Sequence, residues 1–465
     1  MPTNQLAPTE LGTEKIGKLL RMYAVPGIIA QTAASLYNMV DSIYIGHIPG
    51  VGSAAISGLA VTFPLMNLAT AMGTLVGVGA MTLISVLLGQ KNYDTARKVL
   101  SNVLTLNLII GALFSAVALA FLDPILRFFG ASDVTLPYAR DYMVIILVWN
   151  VFTHLYFGFN GLIRASGHPK TAMGLTLFTV ISNAILDPVF IFGFHLGIKG
   201  AALATALCQM MALIYTMIFF FNKKHLLHFT KPIFRIDWRI ARQSLAIGLG
   251  PFLMNTAACL VAMFINQQLA KYGGDMAIGA YGIVNRLTMF FLMICMGFNQ
   301  GLQPIAGYNY GARQYHRVKE IFFLTAKWEV GITTLCFLVS VLCPKLAVSL
   351  FTNDPELIAF SARGLSTMNA AIALVGFSIV SGNLFQCLGM VKMSIFLSLS
   401  RQLIFLLPLI YTLPTFMGAK GVWISFPISD ALSIVVSIIL VIRLFRKFDR
   451  LKDGEDASSL GSAIE

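Results

Sequence analysis

Twelve apolar runs, each long enough to cross a bilayer, follow one another along this 465-residue chain with short polar breaks between them. A crossing takes roughly 20 apolar residues. The approximate limits are 20–46, 54–88, 96–121, 137–160, 169–194, 198–221, 241–270, 277–308, 318–344, 357–385, 391–414 and 419–445. Lipid offers the backbone no hydrogen-bond partners, so runs of this length must be helices. Only 11% of the residues are charged and 57% are hydrophobic. A soluble domain carries about 25% charged residues. The chain therefore reads as an all-α membrane protein. Its net charge of +13 does not point to nucleic acid, because the basic residues sit in loops without aromatic interleaving. The six cysteines fall inside apolar runs and show neither a paired framework nor metal spacing. The polar N-terminal segment has no cleavable signal pattern, so the first helix is expected to start insertion.

The loops alternate in charge. Basic clusters at Lys15/Lys18/Arg21, Lys91/Arg97/Lys98, Arg164/Lys170, Lys223 to Arg242, Arg313/Arg317/Lys319 and Arg443 to Lys452 mark one side. By the positive-inside rule both termini are expected in the cytoplasm. The two halves repeat. Gly89–Tyr93 matches Gly311–Tyr315, Gly167–Lys170 matches Gly389–Lys392, Gly197–Gly200 matches Gly418–Gly421, and Pro26 matches Pro251, all at offsets of 221–225 residues. Six spans return the chain to the same side. The expected architecture is therefore two pseudo-symmetric six-helix lobes related about the membrane normal. The boundaries read as a cytoplasmic segment 1–19, a first lobe 20–222, a linker 223–240, a second lobe 241–447 and a tail 448–465.

The first run carries an acid, Asp41, and a helix breaker, Pro26. A carboxylate at membrane depth is costly unless it is partnered, and such residues are functional candidates by default. Pro26 removes a backbone hydrogen bond and is a candidate hinge. Asp187 is the acid of the fifth run, followed by Pro188. At about 1.5 Å per residue, Asp41, Asp187 and Thr205 all lie roughly 7–11 Å below the outer surface. Tyr37 and Asn183 sit one turn deeper on the faces of their acids. Asn160 closes the fourth run at the inner side, or faces a cavity if that helix extends. Two carboxylates with tyrosine, asparagine and threonine oxygens suit H⁺ or Na⁺. Two acids sharing a site cannot both stay ionised without a cation between them. The opposing reading is two separate acids, each capped by a neighbour.

The second half breaks this symmetry. Asn266 stands where the repeat would place Asp41, and Pro408 falls opposite Asp187. Asp430 and Glu329 are its intramembrane acids, with Arg286 and Arg401 as candidate counter-ions. His154 reads as a packed histidine. Met254, Met263, Met289, Met293, Phe290 and Phe291 are the substrate-cavity candidates, because flexible Met and broad aromatic faces suit promiscuous binding.

Pro26 with Tyr37-Asn-Met-Val-Asp41, Asn183 to Asp187-Pro188, and Gln303-Pro304 followed by Asn309-Tyr-Gly-Ala312 resemble the multidrug and toxin extrusion (MATE) family. The resemblance runs from about Lys15 to Lys447. Within the family the chain is similar to the DinF-like branch and to exporters of the MepA type. That branch keeps its cation site in the first lobe, and Tyr37, Asp41, Asn183, Asp187, Thr205 and Asn160 match its pattern. The NorM-like branch has an acid in its seventh span, and Ala241 to Ala270 has none. The resemblance implies export of cationic or amphipathic drugs and toxins in exchange for H⁺ or Na⁺. It implies a plasma (inner) membrane location, a monomer, no cofactor, and no metal beyond Na⁺ at the Asp41/Asp187 pair.

A flippase of a lipid-linked oligosaccharide is the alternative with a related architecture. It is expected to line its cavity with arginines, and few basic residues lie inside these runs. A membrane-embedded enzyme lacks support, since no HExxH, nucleophile–base pair or phosphate-binding glycine loop occurs. A channel would need a selectivity filter, which the sequence does not suggest.

Overall fold

The computed structural model describes residues 10–50, 52–234, 236–451 and 453–455. Its long helices, in chain order, are α1 (Ile16–Gly46), α2 (Gly52–Gly89), α3 (Tyr93–Ala120), α4 (Leu136–Ala165), α5 (Pro169–Gly193) and α6 (Ile198–Phe221). The second half continues with α7 (Trp238–Gly274), α8 (Met276–Gly311) and α9 (Tyr315–Leu342). It ends with α10 (Pro355–Met368 and Ile372–Cys387, bent by 52°), α11 (Val391–Met417) and α12 (Ala419–Phe448). Among the described residues ten of these are long and apolar enough to cross a membrane, or eleven with the bent pair as one span. The remaining expected span is α1, where Gln31, Thr32, Ser35 and Asp41 lower the hydropathy. Gly274 (φ 65°) separates α7 from α8, a left-handed backbone that suits glycine.

The repeat seen in the sequence is a repeat of backbone conformation. Lys91 and Arg313 both take positive φ, 58° and 59°. They end α2 and α8 with the same closing bonds: Asn92 N–H donates to Leu87 O at 2.9 Å and Gln314 N–H to Asn309 O at 2.8 Å. This is the left-handed helix stop, made here with basic residues instead of glycine. Gly197 and Gly418 precede α6 and α12 at φ 57° and 61°. Short helices Leu122–Phe128 and Pro344–Ser349 follow α3 and α9. α5 and α11 each contain a π-helical turn, Val189–Gly193 and Ser400–Leu406.

The chain forms two compact units. The first contains Ile29–Phe252, and the second contains Leu11–Ile28 with Leu253 onward. The chain thus changes unit inside α1 and inside α7, just after Pro26 and Pro251. The reason lies in close helix packing. In the first unit a Cβ on Gly79 of α2 would stand 1.8 Å from Ser244 O, and one on Gly248 of α7 would stand 1.7 Å from Leu75 O. In the second unit a Cβ on Gly297 of α8 would stand 2.5 Å from Ile28 Cα, and one on Gly301 would stand 2.7 Å from Ala24 N. In lipid, helices associate through such close contacts at small residues. Each unit also has its own apolar core, around Leu65, Met143, Leu147 and Ala201 in the first and around Leu269, Val284, Ile410 and Val422 in the second.

Candidate functional site

The first unit holds a buried polar cluster where α1, α5 and α6 meet. Asp187 is fully buried and Asp41 is 6% exposed. Their carboxyl groups lie within hydrogen-bonding reach of each other. Asp187 is placed by the end of the regular part of α5. Pro188 lacks an N–H, and the ladder widens into the π turn Val189–Gly193 directly after it. Such turns re-aim side chains and are common at functional sites. Asp41 reaches the same point from α1, and Asn183 is one turn before Asp187.

The hydroxyl of Thr205 on α6 ties the cluster together. It lies 2.9 Å from Tyr37 Oη and 3.2 Å from the Asn183 amide. The Asn183 orientation that satisfies every group has its nitrogen donating to Asp187 Oδ2 at 2.7 Å. Its oxygen then accepts from the Thr205 backbone N–H at 3.0 Å. Asp41 Oδ1 has no hydrogen-bond partner among the described residues. The carboxyl oxygens of Asp41 and Asp187 and the hydroxyls of Tyr37 and Thr205 are the oxygen donors that a hard cation prefers, and the free Asp41 oxygen belongs to that set. Among the described residues no group of three or more His, Cys, Asp or Glu side chains could hold a metal ion.

Five of the expected cation-site residues, Tyr37, Asp41, Asn183, Asp187 and Thr205, are brought together. Asn160 is not. Its amide donates to Ala172 O at 3.1 Å and its oxygen accepts from Arg164 Nη2 at 3.4 Å. It sits five residues from the end of α4, where it joins α4 to the start of α5. Sequence reasoning missed Tyr142, which is buried near Asp41, Tyr37 and Asp187. The depth count that groups the other residues would have found it, since it lies six residues into α4.

Pro26 stands within α1, in the part that belongs to the second unit. The six cavity candidates also lie in the second unit and differ in burial. Phe291 packs against the buried cluster of Cys336, Ile372, Val375 and Ile434. Phe290 and Met289 are exposed, while Met254, Met263 and Met293 are half-buried. Of the acids there, Asp430 accepts from Arg401 Nε at 2.7 Å. Glu329 is fully buried, and neither of its carboxyl oxygens has a hydrogen-bond partner among the described residues. Arg286 is exposed and pairs with neither acid. His154 packs between the glycines of α2 and α3, 3.2 Å from the Cβ positions of Gly73 and Gly111.

The profile of a protein family described as MatE matches residues 26–189 and 251–412, two segments that begin at the matched prolines. The chain is 29% identical over 429 residues to the multidrug export protein MepA of Staphylococcus haemolyticus, covering 92% of this chain and 94% of that protein. Among solved structures it is similar to the MATE multidrug transporter DinF-BH. That likeness has a TM-score of 0.86 at 35% identity and covers 95% of this chain and 98% of that one. An outward-facing multidrug resistance MATE family transporter of the MOP superfamily matches with a TM-score of 0.89, 22% identity and coverage of 96% and 99%. That last likeness concerns the fold alone.

Proposed function

Because this chain belongs to the MatE family of membrane transporters, we propose that it is a secondary antiporter exporting cationic or amphipathic small molecules in exchange for H⁺ or Na⁺. The observation that carries the reading is the meeting of the Asp41 and Asp187 carboxyl groups in a buried cluster with Tyr37, Asn183 and Thr205. The names of the MepA and DinF relatives support multidrug export. The basic loops support a plasma-membrane topology with both termini cytoplasmic, and we take the working unit to be a monomer.

The cluster supplies the exchange as follows. Two buried carboxylates close together repel, and a proton or Na⁺ between them removes that repulsion. Bound cation draws Asp41 on α1 toward Asp187 on α5 and Thr205 on α6. Tyr37 and Asn183 follow, because both bond to Thr205. Release of the cation frees α1 to take another position, one that binds the exported compound with different affinity. A ligand shifts such an equilibrium only through its differential affinity for the two states.

The test is export from everted vesicles driven by a pH gradient alone or a Na⁺ gradient alone. One gradient is expected to drive the wild type, which also identifies the ion. Asp41→Asn and Asp187→Asn are expected to fall to the level of empty vesicles while still folding and inserting, since removing a membrane charge lowers the insertion cost. Wild-type export by either variant would end the assignment.

A further inference from the structure

The connection between α6 and α7 is held to α3 and to the end of α6 by specific bonds. Arg97 Nε donates to Leu226 O at 3.1 Å, and the Phe229 N–H donates to Phe220 O at 2.9 Å. The Asp237 N–H donates to Asn102 Oδ1 at 3.0 Å. Between the connection and α3 lies an open cavity of about 70 Å³, whose lining includes Lys98, Ser101, Asn102, Thr230, Lys231 and Asp237.

The polar wall of this cavity is largely satisfied, and its cations are not. Asn102 uses both ends of its amide, donating to Lys98 O at 3.0 Å and accepting from Asp237. Asp237 Oδ1 caps α7, accepting from the N–H groups of Arg239 at 3.1 Å and Ile240 at 3.4 Å. Lys98 and Lys231 are exposed, and among the described residues neither ammonium pairs with a carboxylate. Two unpaired lysines lining one cavity together with Ser101 and Thr230 fit an anion that offers several oxygens. A phosphate group has that chemistry.

The location selects the source of the phosphate. Lys98 is in the second turn of α3, and Trp238 is the first residue of α7, so the cavity lies where two spans leave the bilayer. Phe234 on the same connection and Trp238 at the start of α7 are 68% and 74% exposed. Large aromatic side chains favour the headgroup level, where the ring meets apolar chains and the polar edge meets water. We infer that this cavity binds the phosphate headgroup of an anionic membrane lipid, held by Lys98 and Lys231, with Phe234 and Trp238 keeping the same stretch of chain at the headgroup level.

The test titrates the detergent-purified full chain with short-chain phosphatidylglycerol, short-chain phosphatidylcholine and inorganic phosphate, and follows bound lipid by native mass spectrometry. Phosphatidylglycerol is expected to bind more tightly than phosphatidylcholine. Lys98→Gln/Lys231→Gln should weaken phosphatidylglycerol roughly 30-fold, as expected for two lysines near a membrane surface. Lys223→Gln/Lys224→Gln makes the same charge change on the same connection but outside the cavity, and it should retain wild-type binding. Unchanged binding by the cavity variant overturns the site. An equal loss in the control means a diffuse basic surface, which also overturns it. Displacement of the lipid by inorganic phosphate at equal concentration would make it a free-anion site and overturn the lipid assignment. If the double variant does not purify folded, Lys98→Gln and Lys231→Gln carry the test singly, each expected about fivefold weaker, and no loss in either overturns the proposal.

Discussion

Asp430 and Asp41 are both buried intramembrane acids, yet their surroundings differ. Asp430 is matched by the Arg401 guanidinium at 2.7 Å, while among the described residues Asp41 and Asp187 have no ion-paired basic side chain. A charge that already has a permanent counter-ion has no need of a transported cation. Asp430→Asn should therefore leave gradient-driven export per folded molecule near wild type and lower stability. The expected loss is about 1–3 kcal/mol, below the roughly 3–5 kcal/mol of a fully buried pair, because part of Arg401 stays in contact with solvent. Thermal unfolding of the purified variant checks the stability, and export normalised to folded protein checks the function. At this scale the sequence is informative where depth along a helix is enough. Asp41, Asp187 and Thr205 come from three separate helices, and counting residues from the outer surface groups them. It is less informative where the answer depends on helix rotation. Arg286 and Arg401 are equally basic in sequence, but only Arg401 faces an acid. Asn160 has the right chemistry at the wrong end of α4.

At the scale of the helix, the glycines divide into those that permit a close approach and those that do not. Gly79 would place a Cβ 1.8 Å from a backbone oxygen, whereas Gly174 on α5 has nothing within 4 Å. Gly79→Ala should destabilise by at least the roughly 1–3 kcal/mol of an overpacked core, because a backbone carbonyl cannot swing aside. Gly174→Ala should be neutral or stabilise by up to about 1 kcal/mol through helix propensity. Melting of the two variants side by side separates them, and equal Tm values would refute the packing argument. The sequence shows many glycines in apolar runs but not which of them touch a neighbour, since both kinds have the same local composition. The loop after α6 adds a pH effect. The His225 ring stacks on Phe219 with centroids 3.9 Å apart, and His168 meets His225 at 5.3 Å. Burial holds both rings below the ordinary histidine value of 6.5, and for His168 the neighbouring His225 adds to it. Folding thus favours the neutral rings. Their contribution is fully present above the unfolded value and is lost as pH falls from there through the lower folded values. Tm should drop between pH 7.5 and 5.5, and His225→Phe, which keeps the stacking but cannot charge, should drop less. An identical drop would exclude these histidines as the cause.

At the scale of the molecule, the repeat, the span order and the one-sided acid site are legible because loop signatures recur at a nearly constant offset. The assignment of the helix starts is not, since nothing in an apolar run says which neighbour it packs against. The first turns of α1 belong with the second unit and those of α7 with the first, each up to just past a proline. Pro26 therefore lies inside the part of α1 anchored to α8, between Ala24 and Ile28, and the Asp41 cluster lies beyond the end of that part. Pro26→Ala should bind the coupling cation normally but lose the effect of that cation on drug affinity, a coupling of typically about 5–150-fold. Paired titrations of drug with and without cation measure it, and a wild-type affinity shift in the variant would make Pro26 a fixed bend. The same exchange governs how the protein is made. Ala24 cannot reach its packing partner until Gly301 has been synthesised, an interval of 277 residues. At about 5–20 residues per second the ribosome needs roughly 15–55 s to cover it. For that time the first turns of α1 wait without their partner, while the rest of the helix can already pack against α5 and α6. The start of the chain is thus the last part of α1 to settle, and quality control would see every nascent copy as incomplete until α8 emerges.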